Sequence, residues 1–412
     1  MCLQRLADTA VLNKIRGIIM NDIFGINGIQ KFRNRSVLSS QYLPDQLVGR
    51  EEQVKEVASL IRPVLHHGEP VNALISGKKG TGKTTVVRFV LKQLTGTIEK
   101  EGLNVVPVFI NCRKINTTSK IILEILDKVS PETEVPKTGL SMGKYYRALW
   151  KALNEKRTTI IVVFDEIEAL KNHSILYDLS HAGENMSIED DIFIGIIGIT
   201  DDMFFSGRIE QNIVSSLQHR NIVYPPYSKV QIEQILNGRC AIAFEEDIVE
   251  KEVIPLCAEL SGEEHDSGKS LRLLERAGDI ADSSNAEKVT ENHVLLANEE
   301  MGDNYLVSSL ENLPIHSKLV LLSIIRLTRE LNDKITTGQI ETLYRKFCDR
   351  IGTNPLGRTS VSGIVSEFDM KGIISAPVRS RGRYGKTRLV SMRKNPQKIE
   401  NTLYSDYRLK EL

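Results

Sequence analysis

The segment GKKGTGKT at residues 77–84 constrains this chain more than any other feature. It follows a short apolar run at 72–76 and precedes a stretch of helical character at 85–94. Strand, glycine-rich loop and helix is the setting in which G-x-x-x-x-G-K-[ST] folds into a phosphate cradle. Gly77, Gly80 and Gly82 let the backbone curl so that its N–H groups converge on phosphate oxygens. The helix that follows adds the positive end of its dipole. The Lys83 ammonium can reach the β- and γ-phosphates, and the Thr84 hydroxyl can ligate Mg²⁺. Gly80, Thr81, Gly82, Lys83 and Thr84 are therefore the expected contacts to ATP or ADP.

A second segment, TTIIVVFDEIEAL at 158–170, reads as a buried β-branched strand ending in Asp165 and Glu166. Acids at the carboxyl end of a strand face the ligand crevice of an open α/β sheet. Asp165 is expected to hold Mg²⁺ through water. Glu166 is expected to orient and deprotonate the water that attacks the γ-phosphate, with Lys83 as the third catalytic residue. Further apolar runs at 105–110, 192–199 and 222–224 alternate with helical stretches, as a parallel sheet requires. The predicted fold class is α/β: a P-loop core with a parallel sheet, a small α-helical lid and a third, C-terminal domain.

At 412 residues the chain is too long for one ordinary core. Its 41% hydrophobic and 26% charged residues exclude disorder and a small disulfide scaffold. Five scattered cysteines without a CxxC pair suggest reduced thiols and no zinc site. The longest apolar runs fall short of a membrane span, so no membrane partner is expected, and the reduced thiols suit a cytoplasmic location. Residues 1–35 read as a leader.

Net charge is only +1, but it is unevenly spread. From Lys371 onward there are 11 Lys/Arg against 3 Asp/Glu. That basic end follows three helical segments, 316–330, 336–350 and 359–371, and contains two strand-like stretches, 372–375 and 388–392. Three helices and a hairpin form a winged helix, whose third helix enters the major groove. Arg358, Thr359, Ser360 and Ser362 lie at the start of that helix. Arg381, Arg383, Tyr384, Lys386 and Arg388 lie on the wing, where they could track phosphates or a minor groove. Between core and wing, helical periodicity at 230–243, 248–260, 271–281 and 291–301 predicts the lid, and 302–314 reads as a linker.

Taken together, SSQYLPDQLVGREEQ, GKKGTGKT, FDEIEAL, GIIGITDD, SSLQHRNIVYPPY, ILNGR, LLERAGDIA and SRGRYGKTR resemble the AAA+ initiators of archaeal DNA replication. These are relatives of the eukaryotic origin-recognition and cell-division-control type helicase loaders. The likeness spans about residues 36–392. It implies an AAA+ core at 36–226, a lid at 227–302 and a winged helix at 303–412. It also implies that Val48, Arg50, Tyr227 and Arg239 touch nucleotide, and that Arg113 and Lys114 touch DNA after the second core strand. Three positions depart from the family pattern. Asp201 stands where the family has a water-positioning Asn, Asn212 where it has the arginine finger, and Gly268 where it has the lid arginine, with Lys269 beside it. The resemblance thus implies a replication initiator that binds ATP/ADP, Mg²⁺ and double-stranded origin DNA. Its ATPase would be weak, and it would work beside a paralogous initiator to recruit the replicative helicase. A nucleotide-gated winged-helix transcription or signalling regulator would read the same way.

Overall fold

The computed structural model describes residues 30–185, 187–217, 219–262, 266–331, 335–380, 386–410 and 412, and the side chains of these except 216, 217, 303–306, 379, 380 and 386. The chain divides after Ala297 into two compact units.

The first unit opens with α1 (Glu51–Ile61), β1 (Ala73–Ser76), α2 (Lys83–Glu101), β2 (Val105–Asn111) and α3 (Thr118–Val129). It continues through α4 (Met142–Lys156), β3 (Thr159–Asp165), α5 (Ser174–Ser180), β4 (Ile194–Thr200), α6 (Gln211–Leu217) and β5 (Arg220–Val223). The strands form one parallel sheet in the order β2-β3-β4-β1-β5. All seven residues of β3 are buried. Ile160, Val162 and Phe164 pack with Ile121, Ile125 and Leu149. Ile161 and Val163 pack with Val86, Val87 and Val90. Period-two alternation thus buries both faces beneath helices, which is why the strand reads as an unbroken β-branched run. Each such side chain contributes about 1.5–3 kcal/mol when buried. Helix α2 runs past the predicted end at 94 and stops at Gly102, whose left-handed φ of 66° caps it.

Four more helices follow: α7 (Lys229–Ala243), α8 (Val253–Glu259), α9 (Ser267–Ser283) and α10 (Glu291–Glu311). A capping box starts α7: Ser228 accepts from the Gln231 amide, and the Gln231 side chain accepts from the Ser228 amide. Two expectations are corrected in this region. The helix expected over 248–260 is only α8. The Val289 amide donates to the Ile248 carbonyl at 2.8 Å and the Glu250 amide to the Val289 carbonyl at 3.1 Å. That strand-like bridge takes the backbone groups a helix would need. The linker expected at 302–314 is helical as far as Glu311. One interior glycine, Gly302, costs a helix only about 1 kcal/mol, and the termination comes just before Pro314.

Residues 31–38, most of which the sequence assigns to a leader, are strapped onto the lid helices. Phe32 lies against Phe244, with ring centroids 4.6 Å apart. Arg35 pairs with Glu275 at 3.0 Å and Asp279 at 2.9 Å, and Lys31 with Asp282 at 3.2 Å. Gly278 makes room for this strap, since a Cβ there would stand 2.4 Å from the Phe32 ring.

The second unit contains α11 (Ile315–Leu331), β6 (Ile335–Thr336), α12 (Thr337–Ile351), α13 (Arg358–Met370), β7 (Ile374–Ser375), β8 (Val378–Ser380), β9 (Lys386–Met392) and α14 (Pro396–Leu403). Strand β9 pairs antiparallel with β6, β7 and β8. Leu319, Ile324, Tyr344, Val365, Phe368 and Val390 share one core. Helix α14 lies beyond the predicted elements and adds Ile399 and Leu403 to that core. Its start is set by Asn395, which accepts from the amides of Gln397 and Lys398, and by Pro396 in the first turn.

Candidate functional site

The carboxyl ends of β3, β4 and β1 lie side by side. Ser76 is in register with Thr200, and Asp165 with Ile199. The loop after β1, Asp165 and Asp201 therefore open onto one crevice. Gly80 has φ 76° and Gly82 has φ 84°, values that favour glycine. Space makes the same demand. A Cβ at Gly80 would stand 2.1 Å from Asp266 Oδ1, and one at Gly82 would stand 2.4 Å from the Tyr227 hydroxyl.

Lys83 is the first residue of α2 and is only 5% exposed. Its ammonium donates to the carbonyls of Gly77 at 2.6 Å and Lys78 at 2.9 Å. It also pairs with Asp201 at 2.7 Å. The Thr84 hydroxyl donates to Asp165 at 2.9 Å. Burial pushes the Asp165 carboxyl above its ordinary range, while hydrogen bonds from Thr84 and Asn111 pull it back. Hydroxyl and carboxylate oxygens of this kind are the hard donors that Mg²⁺ prefers. The loop amides and Lys83 are the donors a phosphate prefers. The residues present therefore fit a magnesium–nucleotide pair.

Glu166 follows β3 with φ 55° and ψ 51°, a left-handed conformation that costs a non-glycine residue about 1–3 kcal/mol. Its carboxylate is held by Arg113 Nε at 2.7 Å. Burial raises its pKa and the Arg113 charge lowers it. Arg113, read from sequence as a DNA contact, thus places its guanidinium on Glu166, while Lys114 is exposed. Arg208, one turn before Asn212, pairs with Asp202 at 2.9 Å.

On the lid side, Arg50 is 2% exposed. It donates to Gly49 O at 2.9 Å, Thr81 O at 2.9 Å and Pro225 O at 2.6 Å. Its guanidinium lies 3.8 Å from the centre of the Tyr227 ring. One buried arginine therefore ties the phosphate loop to the start of the lid. Tyr227 is itself buried, and Val48 is 36% exposed. Arg239 is 9% exposed and donates to Val37 O at 3.0 Å and Tyr42 O at 3.4 Å, stacked on the Tyr42 ring. Its donors hold the 37–42 segment against α7. The strap made by Lys31, Phe32 and Arg35 escaped sequence reasoning. Its local signal is one aromatic, Phe32, among three basic residues, Lys31, Arg33 and Arg35.

In the second unit, Arg358, Thr359 and Ser360 are exposed in the first turn of α13, and Ser362 is half-buried. Gly357 offers that helix no side-chain cap, so the first-turn amides point outward. Arg358 is steadied by Glu341 at 2.9 Å. On the wing, Arg388 stands opposite Val378 and Lys386 opposite Ser380. Arg381, Arg383 and Tyr384 lie outside the described residues.

Parallel sheet, phosphate loop, helical lid and a separate winged helix define a AAA+ ATPase joined to a DNA-binding type domain. Residues 46–187 match the AAA ATPase domain. Residues 233–299 match the Cdc6 AAA+ ATPase-type lid domain, and 308–402 match the CDC6 C-terminal winged helix domain. The chain is 37% identical over 384 residues to ORC1-type DNA replication protein 1 of Archaeoglobus fulgidus, covering 92% of each. It is 38% identical over 372 residues to the protein of the same name from Sulfurisphaera tokodaii, covering 89% of this chain and 92% of that one. The solved structure of the Aeropyrum pernix ORC1 protein in complex with DNA superposes with a TM-score of 0.75 at 36% identity, covering 92% of this chain and 98% of that one. The chain belongs to the ORC1-type family of DNA replication proteins.

Proposed function

We propose that this chain is a replication initiator that binds ATP or ADP with Mg²⁺ and holds duplex origin DNA. The single observation that carries the reading is the junction at the carboxyl ends of β1, β3 and β4. There a buried Lys83 meets Asp201, and Thr84 meets Asp165, behind a loop of left-handed glycines. The loop amides and Lys83 bind the phosphates. Thr84 and Asp165 would hold Mg²⁺, which would supply charge neutralisation at the phosphates. Arg50 and Tyr227 close the lid side, and Val48 and the 42–44 segment flank the base.

Turnover is slow in this reading, for two reasons. Glu166, the residue that would take the proton from water, is engaged by Arg113. Asp201 puts a negative charge where a neutral amide would orient water. Asn212 offers a neighbouring subunit no cation, which favours work beside a more active paralogue.

The DNA part rests on the first turn of α13 and the basic wing. Arg358, Thr359 and Ser360 meet base edges or phosphates, and Lys386, Arg388 and the tip residues Arg381, Arg383 and Tyr384 follow the backbone. In the first unit, Lys114 is an exposed DNA-contact candidate of its own. The Aeropyrum relative was solved with DNA, which supports this assignment. Recruitment of a replicative helicase belongs to the same proposal. Nuclease footprinting of the full chain on genomic fragments, in ATP and in ADP, tests it. Protection at a candidate origin is expected. Protection confined to promoters would replace the initiator reading with that of a transcription regulator.

A further inference from the structure

We propose that Arg272, one turn into α9, supplies the lid-side positive charge to the terminal phosphate of a bound nucleoside triphosphate, in place of an arginine at position 268. The inference rests on the nucleotide reading above and adds a residue to it. The start of α9 touches the phosphate loop directly. The Ser267 hydroxyl donates to Gly80 O at 2.7 Å, and Asp266 fills the space beside Gly80. The next residue is Gly268. A Cβ there would meet Asp266 Oδ1 at 3.1 Å and Arg272 Nη1 at 3.4 Å. The Arg272 guanidinium therefore lies back over Gly268, towards the loop.

Helix geometry accounts for this. Residues four apart share a face, and helical side chains lean towards the N-terminus. A glycine at 268 leaves open the space that a side chain there would fill. Arg272 is exposed, and among the described residues it has no ion pair or hydrogen bond. Its neighbour Arg276, by contrast, reaches Asp279 at 3.6 Å. The other cations at the crevice are committed to partners. Lys83 already pairs with Asp201, Arg113 with Glu166, and Arg50 with three backbone carbonyls, so none of these cations is unengaged. A guanidinium can give a phosphate two parallel N–H bonds, which the adjacent Lys269 cannot.

The test is binding of ADP and of a non-hydrolysable ATP analogue to the full chain. It compares wild type, Arg272→Ala, Arg272→Lys and the double variant Gly268→Arg/Arg272→Ala. In Arg272→Ala, affinity for the ATP analogue should fall about tenfold while ADP affinity changes less than about twofold, the size expected for one charge-assisted contact. Arg272→Lys should recover part of the loss. The double variant should restore the preference for triphosphate, because position 268 is an ordinary helical site on the same face. Equal loss for both nucleotides, or no loss for either, would overturn the proposal. So would failure of the double variant to restore the preference while its thermal unfolding matches that of Arg272→Ala. A wild-type chain that bound neither nucleotide would instead defeat the underlying nucleotide reading.

Discussion

At the scale of single residues, the site is a set of charges that restrain one another. Lys83 carries three polar contacts on a buried ammonium, two to loop carbonyls and one to Asp201. Lys83→Ala removes the buried ammonium of the phosphate loop. Charge-assisted hydrogen bonds contribute about 1.5–3 kcal/mol, so nucleotide affinity should fall by about 10- to 100-fold in a calorimetric titration. An unchanged affinity would dissolve the assignment of the loop. Arg113 poses a different question, because it can either serve DNA or restrain Glu166. At 66% exposure and 2.7 Å from the carboxylate it does the second here. Arg113→Ala should therefore raise single-turnover ATP hydrolysis several-fold by freeing the Glu166 carboxylate. A fall would show that the pair orients the carboxylate for catalysis.

At the scale of elements, α13 opens on an exposed first turn. Its first turn has outward-facing amides, no side-chain cap, and Arg358 with an 86% exposed side chain. Glu341 steadies that arginine, and the Arg358 and Arg345 guanidinium groups hold the Glu341 carboxyl below its usual range. Arg358→Ala should weaken binding to duplex DNA. If the contact is to phosphate, the slope of log affinity against log salt should drop by about one. If it is to a base edge, the slope should stay and sequence discrimination should relax by about 1–3 kcal/mol at one position. Fluorescence anisotropy over a salt series separates the two. An unaltered affinity would take α13 out of the interface.

At the scale of the whole molecule, the two units have separate cores. In the second unit, Lys318 and Asp406 are buried partners, 2.9 Å apart and 8% and 7% exposed. Arg408 and Lys318 hold the Asp406 carboxyl well below the ordinary carboxylate range. A depressed folded pKa means that the stability is present above the unfolded value, about 3.9, and is lost as pH falls through the folded value. Asp406→Asn leaves Lys318 buried without its anion. The cost should be about 3 kcal/mol, the low end for breaking a buried pair, because the 45% exposed Arg408 shares the carboxylate. Calorimetry of the full chain should show the transition of the second unit fall while that of the first stays. Movement of both transitions together would mean that the units unfold as one.

Much of the organisation was legible in the sequence, because the signals were local. A loop that must curl around phosphate demands glycines at fixed spacing, and GKKGTGKT displays them. A strand buried on both faces demands a β-branched run, and TIIVVFD is one. Three helical periods before a basic hairpin spelled out the second unit. Side-chain pairing across distant segments was not legible, because ion pairs and stacking depend on which segments meet. Nothing near Arg113 says that it will hold Glu166, 53 positions away by number. Nothing near Arg239 says that it will grip residues 37–42, and nothing near Phe32 says that it will lie on Phe244. The chain's order of residues determined where a phosphate could sit. Only the folded arrangement decided which charges share that crevice, since Coulomb and hydrogen-bond energies act over a few ångströms of space and take no account of separation along the chain.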